Sequence, residues 1–179
     1  MFITGSVIAC LMTPVSVPPP IHRWESLVRR VACRQHVDPR LVLAVMLRES
    51  GGRWNAKNRQ AVGLMQIKVG TARMLGYRGT RGHLFRPAVN VFYGVKYLAQ
   101  LVRRYTYGWD AVSAYNCGRP HWRKGRGFMC QGRKTEYVKK VAETYTHLRV
   151  HRRKRVYREL FASATVYQPF LAAFPVWNK

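Results

Sequence analysis

An uninterrupted apolar run at residues 41–47 constrains the fold of this chain more than any other feature of its sequence. Asp38 followed by Pro39 is typical of a helix N-cap and first turn, and the glycine pair that begins at Gly51 is a helix stop. A surface helix is apolar on one side, so a helix that is apolar all round is expected inside a domain. The sequence therefore predicts a central, buried helix that other elements must cover.

Other segments show the three- and four-residue spacing of amphipathic helices, and none alternates over the length of a useful strand. We expect further helices over 21–31, 91–102, 110–115 and 135–150, the first of them with a basic outer face. Residues 51–90 are rich in Gly, Arg and Asn, which predicts loops and turns with one short helix at 71–75. The predicted fold class is mainly α.

The size of the chain limits the number of domains. A chain of 179 residues, 47% of them hydrophobic, can build one core but not comfortably two. Pro14 and Pro18 to Pro20 predict an extended, stiff stretch that cannot be helical, and we place a domain boundary there. The predicted organisation is an apolar, Pro-rich segment at 1–20, a single helical domain with short loops at 21–150, and an irregular basic and aromatic tail at 151–179.

The start of the chain carries an apolar run, residues 2–12, that is as long as the core of a signal peptide but too short to span a membrane. No transmembrane helix is predicted. The run lacks a positively charged start and a small-x-small cleavage site. The tetrapeptide that ends at Cys10 resembles a lipoprotein attachment site, although it lies unusually near the start. Export by a signal, by lipid attachment or by another route stays open.

Four cysteines, Cys10, Cys33, Cys117 and Cys130, show neither a CxxC pair nor a nearby pair of histidines, so no metal site and no metal or other cofactor is expected. Cys117 and Cys130 are close enough in sequence to staple a Gly-rich loop in an oxidising compartment. Two free thiols are an equally good interpretation of the same spacing.

The charge is strongly one-sided, with 32 Lys and Arg against seven Asp and Glu and a formal net charge of +25. Such a field attracts nucleic acid, anionic lipid and acidic wall polymers without choosing among them.

Because the acids are few, their roles can be considered one by one. Glu25 and Asp38 suit the start of helices, Asp110 could cap one, and Glu143 and Glu159 have basic neighbours. Glu49 lies in the last turn of the buried helix, where the helix dipole and burial both tend to raise the pKa of a carboxyl. A carboxyl with a raised pKa can act as a general acid near neutral pH. The alternative for Glu49 alone is an ordinary ion pair with Arg48 or Arg53.

Four blocks of sequence then occur in a fixed order. They are Glu49-Ser50-Gly51-Gly52 with Asn55-Ala56 and Gly63-Leu64-Met65-Gln66-Ile67; Leu84-Phe85-Arg86-Pro87 with Asn90, Gly94, Tyr97 and Leu98; Ala114-Tyr115-Asn116-Cys117-Gly118; and Thr135 with Tyr137-Val138. Together they resemble the catalytic core of the soluble lytic transglycosylases (SLT), a lysozyme-like family. The resemblance covers roughly residues 25–146 and implies a lysozyme-like fold of the goose type. Arg86 and Cys117 depart from the usual family residues.

The resemblance also implies roles for individual residues. Glu49 would be the catalytic acid and base. The substrate-binding and supporting residues would be Ser50, which helps to orient Glu49, Met65 and Gln66 in the sugar cleft, Tyr115 and Asn116 at the scissile bond, and Tyr137 behind Glu49. For Met65, simple core packing is the alternative.

The implied reaction is cleavage of the MurNAc-(β1,4)-GlcNAc bond of peptidoglycan glycan strands without water, leaving 1,6-anhydroMurNAc ends. Ordinary glycosidases need two carboxylates, whereas no Asp or Glu lies between Glu49 and Asp110. In the family, the N-acetyl oxygen of the substrate removes the need for a second one. The implied location is the cell envelope or periplasm, or a phage virion. The implied protein partners are virion or secretion-apparatus proteins. Non-specific contact with DNA or with an anionic surface is a further possibility that the charge raises.

Three alternatives are kept. A lysozyme-type hydrolase would use the same fold with water as the acceptor. A basic nucleic-acid-binding protein would use Arg and aromatic side chains on phosphates and bases. A virion structural or wall-binding protein would retain the fold without catalysis.

Overall fold

A computed structural model describes residue 10 and residues 17–118, 122–123, 127–130 and 133–148. The helices are α1 (Pro19–His22), α2 (Glu25–Arg34), α3 (Pro39–Ser50), α4 (Val69–Met74), α5 (Pro87–Arg104), α6 (Gly108–Cys117) and α7 (Tyr137–His147), with a 3-10 turn at His83–Phe85. The short strands β1 (Ala61–Val62) and β2 (Ile67–Lys68) pair antiparallel, as do β3 (Trp122–Arg123), β4 (Gly127–Cys130) and β5 (Arg133–Lys134) in that order. The mainly helical class is confirmed.

Helix α3 is the central element, as the sequence predicts. Asp38 caps it, since its Oδ1 accepts a hydrogen bond of 2.8 Å from the Arg40 backbone N–H, and Gly51 ends it in the left-handed conformation at φ 60°. All side chains from Leu41 to Met46 are buried, and α3 packs against α1, α2 and α7. The hydrophobic core therefore surrounds α3 and delivers Glu49 to its C-terminal end.

The segment before α3 differs from the prediction in two ways. Pro19 and Pro20 open α1 instead of extending the chain, because proline in the first helical turn has no N–H to lose. The predicted helix over 21–31 is broken at Arg23 and Trp24, so α1 and α2 are separate. The Trp24 indole N–H donates to the Gly52 carbonyl at 2.9 Å, which holds this break against the end of α3.

Helix α6 begins earlier than predicted. It starts at Gly108, its N-cap position is Tyr107, and no side chain caps it. Asp110 lies inside the first turn, so the prediction that Asp110 caps this helix is wrong. The carboxylate still faces the positive end of the helix dipole, which is why an acid occurs there.

Residues 53–86, called the basic lobe below, form a small unit beside α5. The sequence predicts loops with a helix at 71–75, and the structure adds the β1–β2 hairpin and begins the helix, α4, at Val69. The lobe has its own small core, made of Val62, Ile67, Ala72, Tyr77 and Leu84.

Two disulfides join the described cysteines, Cys10 to Cys33 and Cys117 to Cys130. The second is the staple that the sequence left open against free thiols. The first contradicts lipid attachment at Cys10, because a disulfide leaves no thiol to acylate. The domain limits at 1–20, 21–150 and 151–179 stay predictions, and residues 149–179 lie outside the described part of the chain. Within that part, no helix combines the length and apolar character needed to cross a membrane.

Candidate active site

Glu49 lies half-buried in the last turn of α3, where its carboxylate meets α7. Tyr137, the first residue of α7, donates a hydrogen bond of 2.6 Å from its Oη to Glu49 Oε1. The short O–H···O distance is typical of a charge-assisted bond. The predicted support of Glu49 by Tyr137 therefore corresponds to a direct contact in the structure.

The surroundings of Glu49 act on its pKa in opposite directions. Burial raises the pKa of the Glu49 carboxyl, because a charge is poorly solvated there. The hydrogen bond from Tyr137 and the positive charge of Arg48 lower it, but burial has the larger effect and the pKa remains above its usual value. A larger fraction of this carboxyl is therefore protonated near neutral pH than in an exposed glutamate.

Tyr137 is held as a neutral donor. Its side chain is buried, and burial together with the adjacent Glu49 carboxylate raises the pKa of its hydroxyl well above the usual value. Its backbone N–H donates to Thr135 Oγ1 at 3.1 Å, which fixes the start of α7. The hydroxyl thus keeps its proton and stabilises the carboxylate form of Glu49.

Tyr115 brings a second hydroxyl near Glu49 from the last turns of α6. Its Oη donates to the Met65 carbonyl at 2.8 Å, and its ring lies 5.3 Å from that of Tyr97. Burial, followed by the negative charge of Glu49, raises the pKa of the Tyr115 hydroxyl well above its usual value. The structure therefore brings Tyr115 and Tyr137 together around Glu49.

The Met65 side chain is fully buried and belongs to the core around α3. A Cβ on Gly94 of α5 would come within 2.5 Å of Met65 Cβ, so the close approach requires glycine there. Met65 therefore offers its backbone carbonyl to the site, while its side chain has no exposed surface for the predicted sugar contact.

The recorded hydrogen bonds of Gln66 and Asn116 are to groups other than Glu49. The Gln66 amide N–H₂ donates to the carbonyls of Ala56 and Gly63 at 3.0 and 2.9 Å, which closes the loop before β2. Asn116 is exposed at the end of α6, next to Tyr115, and its amide lies 3.4 Å from Cys117 Sγ. Their predicted contacts with the sugar stay predictions.

Ser50 also makes bonds other than those expected for a residue that orients Glu49. It is buried, its hydroxyl donates to the Met46 carbonyl at 3.2 Å, and it accepts from the Gly52 N–H at 3.1 Å. Its observed contacts shape the turn that ends α3.

Asn90 is fully buried, and no role was predicted for it from the sequence. Its Oδ1 accepts from the Met65 N–H at 2.7 Å, and its Nδ2 donates to the carbonyls of Val62 and Leu84, both at 2.8 Å. Asn90 therefore fixes the loop whose carbonyl binds Tyr115. A polar residue on the apolar face shared by Gly94 and Leu98 was the signal for this role.

Three other acids of the described residues have basic partners. Glu25 pairs with Arg29 at 2.7 Å, Asp38 with Arg40 at 2.7 Å, and Glu136 lies 3.8 Å from Lys139. Burial raises the pKa of the Asp110 carboxyl, and no charged group in the described part of the chain contributes to that shift. Among the described groups, none that shifts the pKa of Glu49 is a carboxylate. As far as the structure describes the chain, the site offers one acid flanked by two neutral tyrosines.

Comparison with known proteins gives one family and two similar folds. The family model of the Transglycosylase SLT domain matches residues 26–135, more than half of the chain. One similar structure is an inactive mutant of the lytic transglycosylase Slt from Pseudomonas aeruginosa, with 22% identity and a TM-score of 0.49 over 88% of this chain. Another is the 70-kDa soluble lytic transglycosylase in complex with bulgecin A, with 20% identity and a TM-score of 0.44 over 83% of this chain. This chain covers only 25% and 26% of the lengths of those two proteins.

Proposed function

This chain belongs to the Transglycosylase SLT domain family, and we propose that it is a peptidoglycan lytic transglycosylase with Glu49 as its single catalytic acid and base. The observation that carries the proposal is the half-buried Glu49 carboxyl held by the Tyr137 hydroxyl at 2.6 Å, with no carboxylate among the described groups that shift its pKa. A hydrolase with two carboxylates would need a second acid near the scissile bond.

In the first step, protonated Glu49 gives its proton to the oxygen that links MurNAc C1 to GlcNAc. The bond between C1 and that oxygen breaks, and GlcNAc leaves with the proton as its hydroxyl. Burial favours the protonated acid that starts this step. The N-acetyl oxygen of the same MurNAc stabilises the positive charge at C1, in place of a second carboxylate.

In the second step, Glu49 is a carboxylate and takes the proton of the MurNAc C6 hydroxyl. The C6 oxygen attacks C1 and closes the 1,6-anhydro ring, so the proton returns to Glu49 and no water is consumed. The hydrogen bond from Tyr137 stabilises the carboxylate between the two steps. Burial thus favours the acid form needed for the first step, and the hydrogen bond favours the carboxylate needed for the second.

The remaining residues of the site would position the sugar. Asn116 is exposed beside Tyr115, so its amide, which contacts only the adjacent Cys117 Sγ among the described groups, would reach the N-acetyl group of a bound strand. Gln66 would act indirectly, since its amide N–H₂ holds the loop that presents the Met65 carbonyl to Tyr115. Tyr115 would keep its proton, which it donates to the Met65 carbonyl, and its hydroxyl oxygen would accept a hydrogen bond near the scissile bond.

The basic lobe would hold anionic parts of the wall or another polyanion. It contains six Arg and two Lys but no Asp or Glu, and all eight cations are exposed. Lactyl and peptide carboxylates make peptidoglycan anionic, and guanidinium groups bind carboxylates well. Non-specific contact with DNA follows from the same charge.

The proposed location is outside the cytoplasm, at the cell wall. The two disulfides fit an oxidising compartment. Local opening of the wall by a phage, or by a secretion or conjugation apparatus, is the proposed setting, because a chain with a net charge of +25 can also lie against DNA.

Release of soluble fragments from purified peptidoglycan tests the proposal. We expect the native protein and Glu143→Gln, the same change at an exposed acid, to release fragments, and Glu49→Gln to release none. Release that survives Glu49→Gln would refute the role of Glu49. No release by any of the three proteins, at low and high salt, would favour a binding or structural protein.

A further inference from the structure

The Cys117–Cys130 disulfide connects the helix that carries Tyr115 to the small sheet that precedes Tyr137. Cys117 is the last residue of α6, two positions after Tyr115, and Cys130 is the last residue of β4. The Cα atoms of the two cysteines lie 5.7 Å apart. The covalent bond therefore joins the helix of Tyr115 to the sheet that precedes Tyr137.

A short chain of hydrogen bonds runs from this sheet to Glu49. The Thr135 N–H donates to the Phe128 carbonyl of β4 at 2.9 Å, and Thr135 Oγ1 accepts from the Tyr137 N–H at 3.1 Å. Tyr137 Oη then donates to Glu49 Oε1 at 2.6 Å. Movement of β4 relative to α6 would thus be passed on to the catalytic hydrogen bond.

Among the described residues, the sheet is small and makes few contacts with the rest of the domain. Strands β3 and β5 contain two residues each and β4 four, which is short for a stable sheet. Phe128 packs partly on the main core, and β4 contacts α6. A disulfide at the end of β4 restricts the positions that such a small sheet can take.

We propose that the Cys117–Cys130 disulfide is a positioning element of the active site, which holds the Tyr137 hydroxyl against Glu49 through β4 and Thr135. The inference rests on the proposed function for its effect on catalysis. The Cys10–Cys33 disulfide is the natural comparison, because both cysteines are buried and Cys33 lies in α2. Among the described residues, neither cysteine is hydrogen-bonded to Glu49 or Tyr137.

The first test measures the titration of Glu49 by NMR, with no substrate present. Within the described residues, the charged and titratable groups that interact with Glu49 are Arg48 on α3, Tyr137 on α7 and Tyr115 on α6. Since the Tyr137 bond lowers the pKa of Glu49, its loss should raise that pKa. We expect a higher Glu49 pKa in Cys117→Ser/Cys130→Ser and an unchanged one in Cys10→Ser/Cys33→Ser.

The second test is a kinetic cycle with Tyr137→Phe. We expect Cys117→Ser/Cys130→Ser to lower kcat by roughly tenfold to a hundredfold with little change in KM, the size expected for a small misplacement of a catalytic group. In a Tyr137→Phe background the same two serines should cost nothing further. Independent, additive losses, or an equal loss in Cys10→Ser/Cys33→Ser, would overturn the proposal.

A further variant keeps the proposal testable if the double serine variant does not fold. Thr135→Val leaves both disulfides intact and removes the acceptor of the Tyr137 N–H. It should raise the Glu49 pKa in the same direction, and an unchanged pKa would contradict the path through Thr135. The NMR result does not depend on cleavage, so a shifted pKa in an inactive protein would refute the proposed function and leave the positioning role standing.

Discussion

At the level of single residues, two opposing effects set the pKa of Glu49, and a residue that serves as both acid and base needs both. Burial favours its protonated form, while the hydroxyl of Tyr137 favours its carboxylate. A buried glutamate without the Tyr137 hydrogen bond would have too high a pKa to donate its proton readily. An exposed glutamate with that hydrogen bond would have too low a pKa to be protonated often at neutral pH. The balance between them is what Tyr137 contributes.

Loss of the Tyr137 hydroxyl tests this balance. In Tyr137→Phe we expect the pKa of Glu49 to rise further, so the alkaline limb of the pH–rate profile moves to higher pH. We also expect kcat to fall roughly tenfold to a hundredfold, the size of a hydrogen bond to a charged group. Tyr107→Phe, at an exposed tyrosine, is the matched control, and an unmoved alkaline limb in Tyr137→Phe would contradict the account.

Glu49→Gln should also change stability in a pH-dependent way. The folded protein holds the Glu49 proton more tightly than the unfolded chain, where the pKa is near 4.5. Stability therefore falls as the pH rises above about 4.5, because the folded state must then bury a charge. We expect Glu49→Gln to unfold at a higher temperature than the native protein at pH 7, with the difference shrinking towards pH 4. Calorimetry that finds the native protein more stable than Glu49→Gln at pH 7 would contradict the conclusion that the buried Glu49 charge lowers stability.

At the scale of the element, Asn90 shows how one buried side chain holds the basic lobe to α5. Its three hydrogen bonds satisfy the Met65 N–H and the carbonyls of Val62 and Leu84. Each buried group left without a partner costs about 1–3 kcal/mol, so with three such groups Asn90→Ala should lower the free energy of unfolding by at least about 3 kcal/mol. Asn55→Ala, at an exposed asparagine, should have little effect, and equal losses in denaturant titrations would refute the role of Asn90.

Elements with strong local signals could be predicted from the sequence. Helix α3 has a cap, a continuous apolar run and a glycine stop, which all act locally. The break between α1 and α2 could not be predicted, because it depends on the bond from Trp24 to Gly52, 28 residues away. The pairing of the two-residue strands β1 and β2 depends on the packing of the basic lobe, which periodicity does not record.

The candidate site could be predicted only in part, because some of its residues depend on contacts between distant segments. Glu49 could be singled out because acids are scarce, and Tyr137 through the resemblance to a family. The burial of Met65 and the hydrogen bonds of Gln66 and Ser50 depend on how the loop after α3 folds back on α5, so their roles required the structure.

At the scale of the whole molecule, the charge is unevenly distributed. Every acid of the described residues lies outside 50–109, while the basic lobe within that range has eight exposed cations. The lobe follows directly on α3, so its positive field is next to Glu49. A field of this kind raises the local concentration of an anionic polymer and is screened by salt.

Neutralising part of the basic lobe should weaken substrate binding. We expect Arg59→Gln/Arg78→Gln to raise KM several-fold at low salt with kcat unchanged, and to flatten the dependence of KM on salt. Arg30→Gln/Arg34→Gln, which removes the same charge from α2, should change KM less. Equal effects of the two pairs would mean that net charge matters and the position of the lobe does not.

The central claim is that Glu49 closes an anhydro ring and admits no water. Mass spectrometry of the fragments released from peptidoglycan in heavy-oxygen water tests it most directly. We expect 1,6-anhydroMurNAc ends that carry no heavy oxygen and that disappear with Glu49→Gln. Reducing ends labelled with heavy oxygen would contradict it and identify a lysozyme-type hydrolase.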